Sequence, residues 1–409
     1  MRILFLTQYF PPETGAPQNR LLGLAHQLKQ NGINVAVLTA MPNYPAMKIY
    51  DGYKGKFFVK EQVDSILVFR SWIYVSKKRT VWKRLLNYFS FVITSFIISF
   101  RIKGKFDFVF CESPPLFLGI SGWLVSRLKG AKFIFNVSDL WPESAEKLGI
   151  ISNRFFLNMA ARLEIFLYRK SFLITGQTQG IVQNISLRLP LKKVHWLPNG
   201  IDEEQFQNVN YPSLRNELGF SENDFIVVYA GIIGHAQGLE IILQAATRLS
   251  VYGNIKFLLA GDGPKKDSLM QKKDDAGLKN VFFHDAVPKN KSIRIINSCN
   301  VSVIPLKKLD LFKGAIPSKI FECLALEKPV LLGVDGEAKK LFIDEAQAGI
   351  YFEPENASQL AEGVLALMNS PERCKALGAN GRNYVMHKFS RKKIALDFLE
   401  QLDINKHTG

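Results

Sequence analysis

Lys319 and Glu322 stand three residues apart in the stretch Gly314-Ala-Ile-Pro-Ser-Lys-Ile-Phe-Glu322. On a helix that spacing puts an ammonium and a carboxylate on one side. The stretch follows a strand-like run, Val301–Pro305, and carries helix-start signals: Pro317 suits a first turn, and Ser318 can satisfy orphan backbone N–H groups. A loop that leaves a parallel strand and enters a helix favours anions, and Lys319 adds a full charge. The chemistry this suggests is nucleotide diphosphate binding, with Lys319 against the phosphates and Glu322 accepting two ribose hydroxyls. An ordinary strand–helix–strand crossover with a surface Lys and Glu would give the same letters. Gly231 and Gly234 follow one apolar run, Gly261 and Gly263 follow another, and Gly336 and Glu337 follow a third. Such glycines let backbone approach phosphate, base or ribose closely. Asp139 and Glu143, in Ser138-Asp-Leu-Trp-Pro-Glu-Ser144, are carboxylates leaving the strand-like run Lys132–Val137. Chemistry is placed at that edge of a parallel sheet. Asp139 has a second reading as the cap of the following helix.

Two series of strand–helix units must position these groups. In the first half, Arg2–Thr7 reads as a buried strand, residues 8–16 as a Pro/Gly loop, residues 17–31 as a helix and Val35–Thr39 as the next strand. Met41-Pro42-Asn43-Tyr44-Pro45 leaves that strand on the same edge. The run 107–111 is read as a strand, with Glu112-Ser113-Pro114-Pro115 as its loop, and residues 153–170 as a helix rich in Phe, Leu and Arg. The loop at 8–16 lacks the fingerprint Gly-x-Gly-x-x-Gly, so it is not a standard dinucleotide site. Pro198-Asn199-Gly200-Ile201-Asp202 is a turn cluster at the boundary. Strand–helix alternation resumes at Phe225 and gives a second parallel sheet. The expected domains are 1–203, 204–388 and a helix at 389–409 that packs back on the first domain.

With 409 residues, two cores are the default. Hydrophobic residues make up 47% and charged residues 22%, which excludes disorder. The net charge of +17 calls for an anionic partner. Four separated cysteines form neither a metal nor a redox pattern, and a reducing compartment fits them. The apolar run at the N-terminus is too short for a signal peptide.

Residues 65–106 hold nine Lys or Arg and no acid. Inside this frame, residues 88–100 are aromatic and aliphatic, but shorter than the roughly 20 residues needed to span a bilayer. The segment 77–105 is therefore expected to lie on an anionic membrane surface, with basic flanks at phosphate height and residues 153–170 extending the face. A buried helix with basic ends is the alternative. Nucleic acid is excluded as the partner, because the charge lies beside an aliphatic run and not among stacking aromatics along a groove.

Six motifs then resemble the family 4 retaining glycosyltransferases. They are residues 11–16 with Arg20, residues 42–45, Asp139–Ser144, residues 198–202, Gly261-Asp-Gly-Pro264 and Pro317–Glu322. The first three are similar to a bacterial subgroup of surface-polysaccharide enzymes. It includes transferases of N-acetylated 6-deoxyhexosamines such as L-fucosamine in O-antigen or capsule assembly. The resemblance covers nearly the whole chain and implies the GT-B fold, two Rossmann-like doubly wound parallel-sheet domains facing each other across a cleft.

It implies a nucleotide-sugar donor, UDP-linked in the first instance, on the second domain. Donor contacts are expected at Gly15, Ala16, Arg20, Gly231, Gly234, Gly261, Gly263, Gly314, Ser318, Lys319, Glu322, Gly336 and Glu337. An isoprenoid-diphosphate-linked saccharide would occupy the first domain at Glu13, Asn43, Tyr44 and Trp141. Asp139, Glu143 and Lys319 are the catalytic candidates, with Asp139 orienting the acceptor or stabilising positive charge on the sugar. No metal or other cofactor is expected, and the protein is placed in the cytoplasm, peripheral on the inner face of the membrane. The chain departs from the family in three places: Gly314 replaces the first glutamate of the paired motif, Ile232 and Gln237 replace the usual Arg and Lys, and Ser138 replaces a common His. Lys319, Arg20 or backbone amides at 314–319 are the expected substitutes. A nucleotide-sugar epimerase on the same fold and a non-catalytic membrane-docked subunit are the competing functions.

Overall fold

The computed structural model describes residues 1–409 apart from 14, 45–46, 77–79, 148–152, 208–210 and 405–409. Thr14 and Pro45 of the loop motifs, and Lys77, Lys78 and Arg79 of the basic frame, lie outside the described residues. The chain divides into two units, residues 1–199 with 391–409 and residues 200–390.

The first unit is built in the order β1 (Arg2–Leu6), α1 (Ala16–Gln30), β2 (Asn34–Ala40), β3 (Phe58–Val63), β4 (Ile66–Ser71), α2 (Val81–Ser99), β5 (Phe108–Ser113), α3 (Leu118–Lys129), β6 (Lys132–Val137), α4 (Glu143–Lys147), α5 (Arg154–Lys170), β7 (Leu173–Gly176), α6 (Gln179–Arg188) and β8 (Val194–Trp196). Its sheet has the order β3-β4-β2-β1-β5-β6-β7-β8, parallel except for the β3–β4 pair. The inner strands are buried on both faces, and alternate residues serve different cores. Ile3 and Phe5 of β1 and Phe108 and Phe110 of β5 face one core; Leu4, Leu6, Val109 and Cys111 face the other. The hairpin β3–β4 was not read from the sequence. Its turn uses Asp64 and Ser65, both at positive φ, where Asn-Gly would have announced it.

The second unit continues with α7 (Glu203–Phe206), β9 (Phe225–Ala230), α8 (Glu240–Arg248), β10 (Ile255–Ala260), α9 (Lys266–Asp275), β11 (Val281–His284), α10 (Lys289–Asn297), β12 (Val301–Pro305), α11 (Lys319–Ala325), β13 (Val330–Gly333), α12 (Glu337–Lys339), β14 (Gly349–Tyr351), α13 (Ala357–Met368) and α14 (Pro371–Lys388). Its sheet is wholly parallel, in the order β11-β10-β9-β12-β13-β14. The order reverses between β9 and β12, and in such sheets ligands bind outside the carboxyl ends at that point. α15 (Arg391–Ile404) returns to the first unit, where Ile394, Ala395, Phe398 and Leu402 join the core beside α1. Phe398 meets Phe110 edge-on at 5.8 Å.

Helix α2 departs from both sequence readings. Asn87, Phe91, Val92, Ser95, Ile98 and Ser99 are buried, so the helix does not merely rest on the surface. The opposite side leaves Trp82, Leu86, Phe89, Ile93 and Ile97 exposed, with Phe100 just beyond its end. Their spacing of three and four residues makes one stripe. A helix apolar all round can fill the core with one side and still present hydrocarbon with the other. Glu112 and Ser113 also differ from expectation: they end β5 and are buried, not in a loop.

Candidate functional site

In the second unit the site forms where the loops after β9, β10 and β12 meet. Backbone hydrogen bonds lace them: Gly231 N donates to Ala260 O, Ile233 N to Asp262 O, Lys265 N to Ile233 O, and Lys307 N to Ala236 O. Gly231 (φ 137°) and Gly261 (φ 153°) take backbone conformations that side chains rarely adopt. A Cβ on Gly261 would collide with the carbonyl oxygen of Gly231. A Cβ on Gly263 would likewise collide with the carbonyl oxygen of Ile233. The glycines therefore let two loops lie backbone against backbone.

Lys319 opens α11 beneath this cradle. Its Nζ lies 3.6 Å from the centre of the Tyr229 ring. A Cβ on Gly231 would come within 2.8 Å of the same atom. Tyr229 is buried at the end of β9, and its hydroxyl donates to Ile232 O at 2.5 Å. Among the described residues no carboxylate pairs with Lys319. Burial lowers its pKa to about 7. Glu322, one turn on, faces Lys289 at 3.5 Å, and both are about one-third exposed. Lys289 also donates to Gln205 at 3.1 Å.

Ser318 corrects an expectation. Its backbone is already helical (φ −60°, ψ −25°), so the side chain makes no capping bond and stays exposed. Gly314 ends a 3₁₀ turn, Asp310–Gly314, in open space, so no steric demand explains the lost glutamate. A Cβ on Gly234 would crowd the flexible end of Gln237 and touch Ile232. Gly336 and Glu337 follow β13 at the start of α12.

In the first unit Gly15 precedes α1 without a side-chain cap, and Ala16 is the first helical residue. Arg20, expected on phosphate, is engaged elsewhere. Its guanidinium pairs with buried Glu112 and donates to Ser138 Oγ at 2.8 Å and Gln177 Oε1 at 3.3 Å. Ser138 donates to Glu112 Oε1 at 2.5 Å, Asn136 donates to Glu112 Oε2 at 2.5 Å, and Thr175 donates to Asn136 Oδ1 at 2.6 Å. This relay joins α1, β5, β6 and β7, and its acid was missed because Glu112 was read as a loop residue. Arg70 is also fully buried, pairing with Glu61 and donating to the carbonyls of Pro11 and Ala40. It anchors the loop after β1.

Glu13 and Asn43, expected on the acceptor, are internal. Glu13 Oε1 accepts from the backbone N–H of Asn43 at 2.7 Å and Tyr44 at 2.8 Å, and Oε2 accepts from Phe10 at 3.3 Å. Asn43 is wholly buried and donates to Met41 O at 2.9 Å. These two residues splice the loops after β1 and β2. Tyr44 is half-buried, 5.7 Å from Tyr9 between ring centres. Trp141 stacks edge-on against Phe117 at 5.4 Å.

Burial raises the Glu13 pKa from its ordinary value near 4.5 to about 7, against the lowering by its three N–H donors. Between those values the unfolded chain has lost a proton that the folded protein keeps. Stability therefore falls as pH rises from about 4.5 to 7, by at most about 1.4 kcal/mol per pH unit from this group. Glu13→Gln is expected to flatten that slope, measured as urea midpoints at several pH values. Parallel profiles for the two proteins would contradict it.

Asp139 is half-buried after β6. It accepts from Ser144 Oγ at 2.8 Å and from the Leu140 N–H. Burial raises its pKa, and neighbouring Glu143 adds to the rise. Glu143 pairs with Lys147 at 2.7 Å on the surface of α4. Asp139 is the sheltered carboxylate of the two. No three His, Cys, Asp or Glu side chains among the described residues are grouped to hold a metal ion.

Residues 15–200 match the family model described as glycosyl transferase 4-like domain, and residues 210–384 match the model for glycosyl transferases group 1. WcaI of Escherichia coli (strain K12), named as a colanic acid biosynthesis glycosyl transferase, is 25% identical over 98% of this chain and 100% of its own. Sucrose-phosphate synthase from Thermosynechococcus elongatus shares the fold with a TM-score of 0.76, at 16% identity and 100% coverage of both chains. Anabaena Alr3699/HepE, solved in complex with UDP-glucose, gives a TM-score of 0.71 at 16% identity, covering 98% of this chain and 99% of its own. The chain has the GT-B fold and is related to the family 4 glycosyltransferases. Its general activity is sugar transfer from a nucleotide-sugar donor.

Proposed function

We propose that this protein is a retaining glycosyltransferase that moves a UDP-linked sugar onto an isoprenoid-diphosphate-linked saccharide at the inner face of the cytoplasmic membrane. The observation that carries the reading is the half-buried Lys319 under the Gly231 loop, without a carboxylate partner among the described residues, at the switch point of a parallel sheet. UDP is the favoured nucleotide because the HepE structures hold UDP and UDP-glucose. The name of WcaI favours exopolysaccharide, O-antigen or capsule assembly as the setting. The motifs at 11–16, 42–45 and 139–144 favour an N-acetylated 6-deoxyhexosamine such as L-fucosamine.

In this reading Glu322 accepts ribose hydroxyls, and Lys319 with the amides of the glycine loops holds the diphosphate. Charge grows on the leaving phosphate as the anomeric carbon becomes cationic, so these groups act more strongly in the transition state than on the bound donor. Retention fits front-face attack, with the departing phosphate taking the acceptor proton and Asp139 orienting the acceptor. The reaction is independent of metal. The test is transfer from UDP-, GDP- and ADP-sugars to a lipid-diphosphate-linked saccharide, with and without EDTA. Product of retained anomeric configuration, formed equally with EDTA, supports the reading. Nucleotide-sugar epimerisation without an acceptor replaces it with the epimerase, and an Asp139→Asn protein with full activity removes Asp139 from the chemistry.

The membrane face consists of the α2 stripe and of α5. Phe155, Phe156, Met159 and Phe166 of α5 are exposed, interspersed with exposed Arg154, Arg162, Arg169 and Lys170. Both helices pack against α3 on one side of the sheet, and Phe166 meets Trp123 of α3 at 5.2 Å. Exposed Arg84, Arg101, Lys103 and Lys105 frame α2. No helix among the described residues is long and apolar enough to cross a membrane. Apolar insertion plus basic flanks is the pattern of a surface-seated protein. The protein is expected to float with vesicles containing anionic phosphatidylglycerol and to be released by high salt. A Trp82→Glu, Ile93→Glu double variant should bind them at least tenfold more weakly; equal binding would argue against this face.

A further inference from the structure

A carboxylate that orients a substrate has to be held, because its two side-chain torsions otherwise move among several wells. Asp139 lies between β6 and α4, outside both elements. Among the described residues no Lys or Arg pairs with it. Two serines bracket it instead. Ser144, buried in α4, donates its hydroxyl to Asp139 Oδ2 at 2.8 Å, and its N–H donates to Leu140 O at 2.9 Å. Ser138 pins the chain on the other side. Its N–H donates to Ser113 O at 2.8 Å, which carries the β5–β6 pairing one residue past β6. Its hydroxyl donates to Glu112 Oε1 at 2.5 Å and accepts from Arg20 at 2.8 Å. Only a group that is both donor and acceptor can stand between a guanidinium and a carboxylate in this way. The titratable groups that face Asp139 are Glu143 of α4 and Tyr168 of α5. Tyr168 gives its hydroxyl to Glu164, and Glu143 is turned to Lys147. Ser144 is therefore the one side-chain donor to Asp139 among the described residues.

We propose that Ser144 and Ser138 are positioning residues for sugar transfer: Ser144 sets the direction of the Asp139 carboxylate, and Ser138 ties the chain that carries it to the Arg20–Glu112 pair. The inference rests on the reading of Asp139 above and adds what aims it. The two serines act on different parts of the residue. Ser144 restrains the side chain directly, and Ser138 restrains the backbone one residue before it. The Arg20–Glu112 pair is thereby a foundation for the loop as well as a tie between strands. Burial raises the Asp139 pKa, and the bond from Ser144 opposes the rise by favouring the ionised form.

The experiment measures transfer by the full-length protein across pH, from UDP-, GDP- and ADP-sugars to a lipid-diphosphate-linked saccharide. The variants are Ser144→Ala, Ser138→Ala, Asp139→Asn and the two combinations of a serine change with Asp139→Asn, with melting recorded for each. Ser144→Ala should lower kcat about tenfold and leave KM for the donor within about twofold. It should also move the acid limb of the kcat profile up by about half a pH unit, since the ionised carboxylate loses a donor. Ser138→Ala keeps the direct Arg20–Glu112 contact and should lower kcat about threefold, so it decides the matter if Ser144→Ala does not fold. With Asp139→Asn already present, neither serine change should cost more than about a further twofold, because nothing is left to aim. Undiminished kcat in both serine variants would overturn the proposal. Losses of the same size with and without Asp139→Asn would assign the serines a purely structural role and overturn it as well, leaving Asp139 in place. Full activity of Asp139→Asn, or no transfer from any of the donors, would overturn the reading of Asp139 and this inference with it.

Discussion

Lys319→Met is expected to lower sugar transfer by about a hundred- to a thousandfold while leaving the fold intact, the magnitude seen when one donor to a developing anion is removed. The fold should survive because Lys319 makes no ion pair among the described residues and rests on an aromatic ring. Methionine has a similar length and packs well there, so melting should be unchanged or slightly improved. The loss should fall mainly on kcat, because charge on the departing diphosphate grows as the glycosidic bond breaks. A higher KM for donor with undiminished kcat would mean that Lys319 only binds. Transfer within about fivefold of wild type would remove it from the chemistry altogether.

Glu112→Ala is the second large effect, and it concerns stability. The variant leaves the Arg20 guanidinium buried with the hydrogen bonds to Ser138 and Gln177 but, among the described residues, no counter-charge. Breaking one side of a buried ion pair costs about 3–5 kcal/mol. For a unit of this size that lowers melting by about 6–20 °C. The double variant Glu112→Leu, Arg20→Met should recover most of the loss, since both charges leave together. A double variant as unstable as Glu112→Ala would show that the hydrogen bonds Ser138 and Asn136 give to Glu112, and not its charge pair with Arg20, hold these elements together.

The alternating architecture was legible because parallel strands buried on both faces read as continuous apolar runs, as in Arg2–Leu6 and Val301–Pro305. Lys319 was legible too, since a cation at a strand–loop–helix transition is a local signal. What failed depends on contacts between distant segments. Glu13 looks like a loop acid, and nothing near it announces three N–H donors from residues 10, 43 and 44. Glu112 follows an apolar run and passes for the first loop residue, yet Arg20 reaches it across 92 residues of chain. Ser318 has the right identity for a cap but the wrong backbone angles, which letters do not carry. In α2 the letters told that the helix is apolar but not that it would divide its sides between core and exterior.

The return of α15 to the first unit makes residues 200–390 an insertion within another unit's sequence. On the ribosome, β1, β2, β5 and α1 emerge early, but the side chains that complete their core, Ile394, Ala395, Phe398 and Leu402, are made only after residues 200–390. At ordinary synthesis rates the gap is roughly ten to forty seconds. Throughout it the growing chain carries Phe110 without Phe398 against it, while residues 200–390 can close their own sheet as they appear. The first unit is thus completed only after the second has been made. Nascent chains stalled between residues 200 and 390 would expose an apolar strip beside α1, a natural place for a chaperone to hold.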